Sequence, residues 1–153
     1  MLEILIVERL LLAMLLGAII GYERERAHKA AGLRTHILVC ISATLITLVA
    51  LYAIENSNAE SSSRIIANVI VGIGFIGGGA IMRHESHVVG TTTAATLWTV
   101  AAVGIAIGSG FIFAGLVVTL IAYLALTLLW RLEAHLTGSN HELDSDHKTS
   151  GNL

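Results

Sequence analysis

The chain has no proline, one cysteine and few charges, and each shortage removes a class of answers. Without proline in 153 residues, where about 5% would be ordinary, no helix is kinked or broken by that residue. The lone cysteine, Cys40, lies inside an apolar run, so the chain builds neither an internal disulfide framework nor a cysteine zinc cage. Charged residues make up 13%, against about 25% in a soluble domain. A soluble domain of this size could not cover itself with so little polar surface. Apolar residues reach 55% and the mean hydropathy is +0.79. The charges fall into short blocks between long uncharged runs, as in a polytopic membrane protein. No basic stripe points to nucleic acid. The net charge of −2 matters less than the side of the bilayer on which each charge sits.

A hydrocarbon core of about 30 Å takes roughly 20 helical residues. Five runs approach that length, at 2–22, 36–54, 65–82, 88–107 and 110–130. None alternates in polarity as barrel strands do. The expected fold is therefore all-α, a five-helix membrane domain over 1–130 followed by a polar, disordered cytoplasmic tail over 131–153. A secretory signal puts positive charge ahead of its apolar core. Here Glu3 precedes the first run and Arg24, Arg26, Lys29 and Arg34 follow it, so the first span is expected to be retained with its N-terminus outside. That orientation places Arg24, Arg26, Lys29, Arg34, Arg83, Arg131 and Lys148 inside and leaves only Arg64 in an outer loop. The asymmetry is a strong positive-inside signal.

Small residues are the most abundant unusual feature of the spans. Helices in lipid gain little from burying apolar groups against one another, so close backbone approach supplies much of the packing energy. Gly17 with Gly21, Gly74 with Gly78, and Gly104 with Gly108 fit this need. The third span adds Gly72, Gly77 and Gly79, which reads either as a crowded central helix or as a locally unwound segment whose carbonyls need other partners. Glu8 and Arg9 lie roughly 10 Å into the first span at helical rise, where ionisable groups are costly and point to function. They read either as snorkelling residues or as a bundle-facing pair, and Arg9 shares its helical face with Ala13 and Gly17. Asn68, one turn before Gly72, reads as a hydrogen-bonding residue between helices. His36, Cys40, Thr44 and Thr47 form one stripe, and Thr92, Thr96 and Thr99 another. Hydroxyls so spaced bond their own helix or the next one, with a weakly polar permeation path as the alternative.

The loop containing Glu23, Arg24, Glu25, Arg26, His28, Lys29, Gly32, Arg34, Thr35 and His36 sets four basic residues beside the membrane. Topogenic charge and attraction to anionic lipid account for them. His84 and His87 flank Glu85 at a chelating spacing but lack a fourth ligand, and His141, Glu142, Asp144, Asp146 and His147 read as a solvated run. No metal site, cofactor or catalytic constellation is expected, and the chain is not expected to be an enzyme.

Arg9 to Ala13 with Gly17 to Glu25, Ala31 to His36, Arg64 to Asn68 with Gly72 to Gly79, and Thr92 to Trp98 with Ala101 to Gly104 together resemble the MgtC/SapB membrane proteins, in order and across nearly the whole membrane part. The chain departs from that pattern at Asn68, where glutamine is expected, at Gly78, where alanine is usual, and at Thr91, where an apolar residue is usual. Longer members carry a soluble C-terminal domain, which the short tail is not expected to be. The resemblance implies a multi-pass protein of the bacterial inner membrane, linked to magnesium homeostasis, to growth under magnesium limitation and, in pathogens, to virulence. Magnesium enters as a ligand or a signal, and the family label is that of a magnesium transporter. Magnesium demands near-octahedral oxygen ligands and gives up water reluctantly. Glu8 is the only carboxylate well inside a span, so a transport route would need an oligomer or the carbonyls of the glycine-rich span. A regulator acting through helix contacts with other inner-membrane proteins, or with itself, is the favoured reading. A cation transporter lined by Glu8, Asn68 and the glycine-rich span is the alternative.

Reporter fusions after Trp130 should place the C-terminus in the cytoplasm. Labelling of that end from outside intact cells would contradict the charge asymmetry.

Overall fold

The structure is a computed structural model that describes residues 2–54, 59–84 and 87–138. Five helices follow one another: α1 (Leu2–Arg26), α2 (Leu33–Ile54), α3 (Ala59–Gly79), α4 (Thr91–Gly108) and α5 (Ile112–Gly138). Helices are what such a sequence must form in lipid, because every backbone donor and acceptor has to be satisfied within its own segment. Four of them, α1, α2, α4 and α5, are long and apolar enough to cross a membrane. The apolar part of α3, Ser63–Gly79, is shorter, about 25 Å at helical rise. The outer surface carries exposed Leu15, Val49, Phe75, Phe113 and Leu120, far more apolar surface than a soluble monomer presents. This is an all-α membrane helix bundle.

Two elements differ from the sequence expectation. Between α3 and α4 the chain forms a short antiparallel hairpin, β1 (Met82–His84) with β2 (His87–Val89), in which Met82 faces Val89. Strands of three residues are too short to show alternation, so the sequence pattern passes them over. Helix α5 continues to Gly138, so the boundary expected at residue 130 falls within a helix. The tail from 139 onward and its histidines lie outside the described residues, as do the side chains of His84 and His87.

The core is built on α2, which packs most extensively against α1 and α4. Ala13, Leu16 and Ile20 of α1, Cys40 of α2, and Val100, Val103 and Ile107 of α4 form one buried cluster. A second, formed by Ala31, Ala43, Ile73, Leu97 and Ala101, brings α3 against α2 and α4. Glycine sets the spacing. A Cβ at Gly17 would sit 2.9 Å from the His36 carbonyl oxygen, and one at Gly21 would sit 2.9 Å from the Leu33 Cα. On the other side, a Cβ at Gly104 would collide with the Cys40 carbonyl, and one at Gly108 would lie 2.8 Å from the Thr44 carbonyl oxygen. Backbone therefore meets backbone on both flanks of α2.

The third glycine pair behaves otherwise. Helix α3 runs unbroken through its glycines, so the segment is not unwound. Neither is it crowded: a Cβ at Gly72, Gly74, Gly78 or Gly79 would meet nothing within 4 Å, and only Gly77 faces a neighbour, Ala94, at 3.6 Å. Expected packing through Gly74 and Gly78 is absent among the described residues, because the side of α3 that meets α2 and α4 is the one bearing Ile73 and Gly77.

Gly108→Leu should lower unfolding free energy in detergent by about 3 kcal/mol or more, since the obstructing atoms are the Thr47 Cβ at 2.7 Å and the Thr44 carbonyl oxygen at 2.8 Å, both fixed by the α2 backbone. Gly74→Leu should change it by less than about 0.5 kcal/mol. Equal effects of the two, measured by denaturant unfolding, would contradict this packing.

Candidate functional site

The polar groups inside the bundle form a seam along the faces where α1, α2 and α4 meet. At one end is the C-terminus of α4, whose last four carbonyls have no partner within the helix. The chain satisfies three of them by turning back on itself: the amides of Ser109, Phe111 and Gly110 donate to the carbonyls of Ile105 at 2.9 Å, Ala106 at 2.9 Å and Ile107 at 3.1 Å. Gly110 takes the left-handed conformation that this closure requires, at φ 89. The fourth carbonyl, of Gly108, accepts from Arg9 Nη1 at 2.6 Å. A cation at a helix C-terminus is also favoured by the helix dipole. Arg9 thus faces the bundle and ties α1 to α4. Glu8 does not join it: its side chain is exposed, and among the described residues the one ion pair is between Arg24 and Glu23. The bundle-facing pair is not formed among the described residues: Arg9 turns to the Gly108 carbonyl while Glu8 stays on the exposed side of α1.

Further along the seam, the Thr44 hydroxyl lies 2.9 Å from both the Cys40 carbonyl on its own helix and the Gly104 carbonyl on α4. This cross-helix contact exists only because Gly104 lets the helices close. At the opposite end His36, fully buried, has Nδ1 2.8 Å from the Gly32 carbonyl and Nε2 3.0 Å from Thr96 Oγ1. The carbonyl can only accept, so the proton sits on Nδ1, and Nε2 can then accept from the threonine. The hydroxyl also lies 2.9 Å from the Thr93 carbonyl, so its single proton serves one acceptor at a time.

The loop residues stand around this end. Arg24 is buried and paired with Glu23. Glu25 accepts from the Leu33 amide at 3.0 Å, so a carboxylate caps the N-terminus of α2, where its charge is also favoured. A Cβ at Gly32 would overlap the Glu25 carboxylate, which ties these two motif residues together. Arg34 is exposed and Thr35 half-buried, and neither is drawn into the seam. Asn68 stands apart. It is exposed, makes no hydrogen bond among the described residues, and lines a groove of about 570 Å³ between α2 and α3 with Leu38, Ser42, Ile46, Gly72 and Ile76. The interhelical bond expected of it is therefore not made among the described residues. The sequence pattern does not single out Gly90 or Gly110, whose positive φ angles turn the chain at either end of α4. Their only signal is a glycine at each edge of an apolar run.

A family model for the MgtC family matches residues 10–135. The chain belongs to the MgtC family. It is 43% identical over 120 residues to Protein MgtC of Salmonella typhimurium, covering 78% of this chain and 50% of that protein. It is 37% identical over 140 residues to the Escherichia coli K12 protein named "Putative magnesium transporter YhiD", covering 88% of this chain and 65% of that one. This MgtC-family chain therefore spans between half and two thirds of the length of these relatives. No solved structure matches it.

Arg9→Leu should cost about 2 kcal/mol, the value of a charge-assisted hydrogen bond to a carbonyl otherwise left short of a partner. Glu8→Gln should stay within about 0.5 kcal/mol of the parent. If denaturant unfolding gave Glu8→Gln the larger loss, the assignment of Arg9 to Gly108 would fail.

Proposed function

We propose that this protein is a non-enzymatic regulator of magnesium homeostasis in the bacterial inner membrane, acting through contacts made by the open face of α3. In this reading α3 is a fifth span, accommodated by a small bilayer adjustment. The N-terminus is outside and the C-terminus cytoplasmic, supported by the distribution of basic residues. Family membership supports the link to magnesium. The observation that carries the mode of action is the contrast between glycines. Those of α1 and α4 are consumed by close packing on α2, whereas Gly72, Gly74, Gly78 and Gly79 have nothing within 4 Å. Asn68 adds an amide without a partner among the described residues, and such a group in lipid seeks a hydrogen bond from another helix.

The alternative is cation transport, favoured by the name of the Escherichia coli relative and by the place of Asn68 in the groove. Against it, Glu8 is exposed on the outer surface of the helices, and no group of three or more histidine, cysteine or carboxylate side chains gathers among the described residues.

The variant carrying both Gly74→Leu and Gly78→Leu should keep the parent's unfolding free energy within about 0.5 kcal/mol yet fail to support growth in low magnesium. Liposomes holding only the purified protein should show no magnesium flux above empty liposomes. Flux that Asn68→Leu abolishes would replace regulation with transport.

A further inference from the structure

Where α1 ends and α5 leaves its apolar stretch, the two helices frame a second cleft of about 690 Å³, within the size range of small-ligand sites. Leu124 and Leu128 of α5 line it together with Tyr22, and Arg26, His28 and Lys29 at the end of α1 complete it. Its depth follows from the sequence. The uncharged run of α1 after Arg9 stops at Tyr22, and that of α5 stops at Trp130. The cleft therefore lies where hydrocarbon gives way to headgroups, the level at which tyrosine is enriched.

Its charge is unbalanced. Glu23, the acid in the lining, is already paired with buried Arg24. Arg26 and Lys29 are exposed and make no ion pair among the described residues. The backbone adds an independent observation. The amides of His28 and Lys29 bond back to the carbonyls of Glu25 and Arg24 at 3.0 Å each, closing α1 as Gly110 closes α4. Here, though, the left-handed position is held by His28 at φ 52. Glycine or asparagine is usual there, and a side chain with a Cβ is disfavoured. This turn sets the His28 imidazole beside Arg26 and Lys29, which make no ion pair among the described residues. A soluble anion would match the basic residues but leave the leucines and Tyr22 uncovered. An anionic phospholipid matches both parts, as basic pockets between helices at a membrane surface do.

We propose that this cleft binds one anionic phospholipid, with its phosphate held by Arg26, His28 and Lys29 and its chains lying along Tyr22, Leu124 and Leu128. The proposal rests on the membrane placement of the helices and is independent of the regulatory reading.

The test is native mass spectrometry of the purified protein in detergent, titrated separately with dioleoyl phosphatidylglycerol, dioleoyl phosphatidylcholine and inorganic phosphate. One phosphatidylglycerol should bind in preference to phosphatidylcholine, and inorganic phosphate should not displace it. At about fivefold per basic residue near a membrane surface, Arg26→Gln with Lys29→Gln should weaken binding about 25-fold. Arg34→Gln with Arg83→Gln removes equal charge outside the cleft and should weaken it less than about threefold. His28→Gly should weaken binding while leaving the lipid-free thermal midpoint unchanged or higher. Equal losses in the two double variants would reduce the effect to diffuse surface charge and overturn the proposal. So would equal affinity for phosphatidylcholine, or displacement by inorganic phosphate. Should the cleft double variant fail to fold, His28→Gly decides alone, and undiminished phosphatidylglycerol binding there overturns the proposal.

Discussion

Helix α2 is held between α1 and α4 by close backbone approach at four glycines, and the rest of the bundle depends on that approach. In water, burying leucine against leucine would hold these helices together. In lipid the tails are as apolar as the side chains, and that driving force is lost. What replaces it is contact at Gly17 and Gly21 on one flank and at Gly104 and Gly108 on the other, where even a methyl group would strike a backbone atom of α2 or come within 3 Å of one. The same closeness brings Thr44 within hydrogen-bond reach of the Gly104 carbonyl and His36 within reach of Thr96. It also leaves the last carbonyl of α4 where Arg9 of α1 can reach it. The polar groups of the seam are thus consequences of the glycine contacts, and they lock the register that those contacts permit.

A rigid three-helix frame leaves α3 in a different condition. It touches α2 and α4 through Ile73 and Gly77, sets Asn68 and Gly72 along the groove beside α2, and turns Gly74, Gly78, Gly79 and Phe75 away from the other described residues. Single exposed apolar residues call for no explanation in a membrane protein, because lipid covers them. An amide and four uncovered glycines do, because lipid offers neither a hydrogen bond nor a surface shaped to them. That difference separates the frame, whose glycines serve folding, from a face open to the proposed association.

Much of the frame is legible in the sequence. The length and spacing of the apolar runs give the helices, and the sharing of one face by Arg9, Ala13 and Gly17 correctly turns the arginine inward. Its acceptor is not legible, because Gly108 is 99 residues away and a backbone carbonyl has no sequence signature. The glycine pairs show the same limit. Gly74 with Gly78 has the same four-residue spacing as Gly104 with Gly108, yet only the latter meets a helix, since spacing identifies a shared face and not what lies opposite it. Asn68 shows the same limit: its type suggests a bond between helices, but not which helix lies opposite, and it finds no partner among the described residues. The hairpin at Met82–His84 and His87–Val89 is too short to register as a period.

In the proposed mode of action the outward face of α3 meets protein, while the other outward faces meet lipid. A photoreactive residue placed in living cells at Phe75, which is 87% exposed on α3, and separately at Leu15, 57% exposed on α1, tests it most directly during growth in low magnesium. Protein adducts, with another membrane protein or with a second copy, are expected at position 75, with lipid adducts alone at position 15. Lipid adducts alone at both positions would contradict the account.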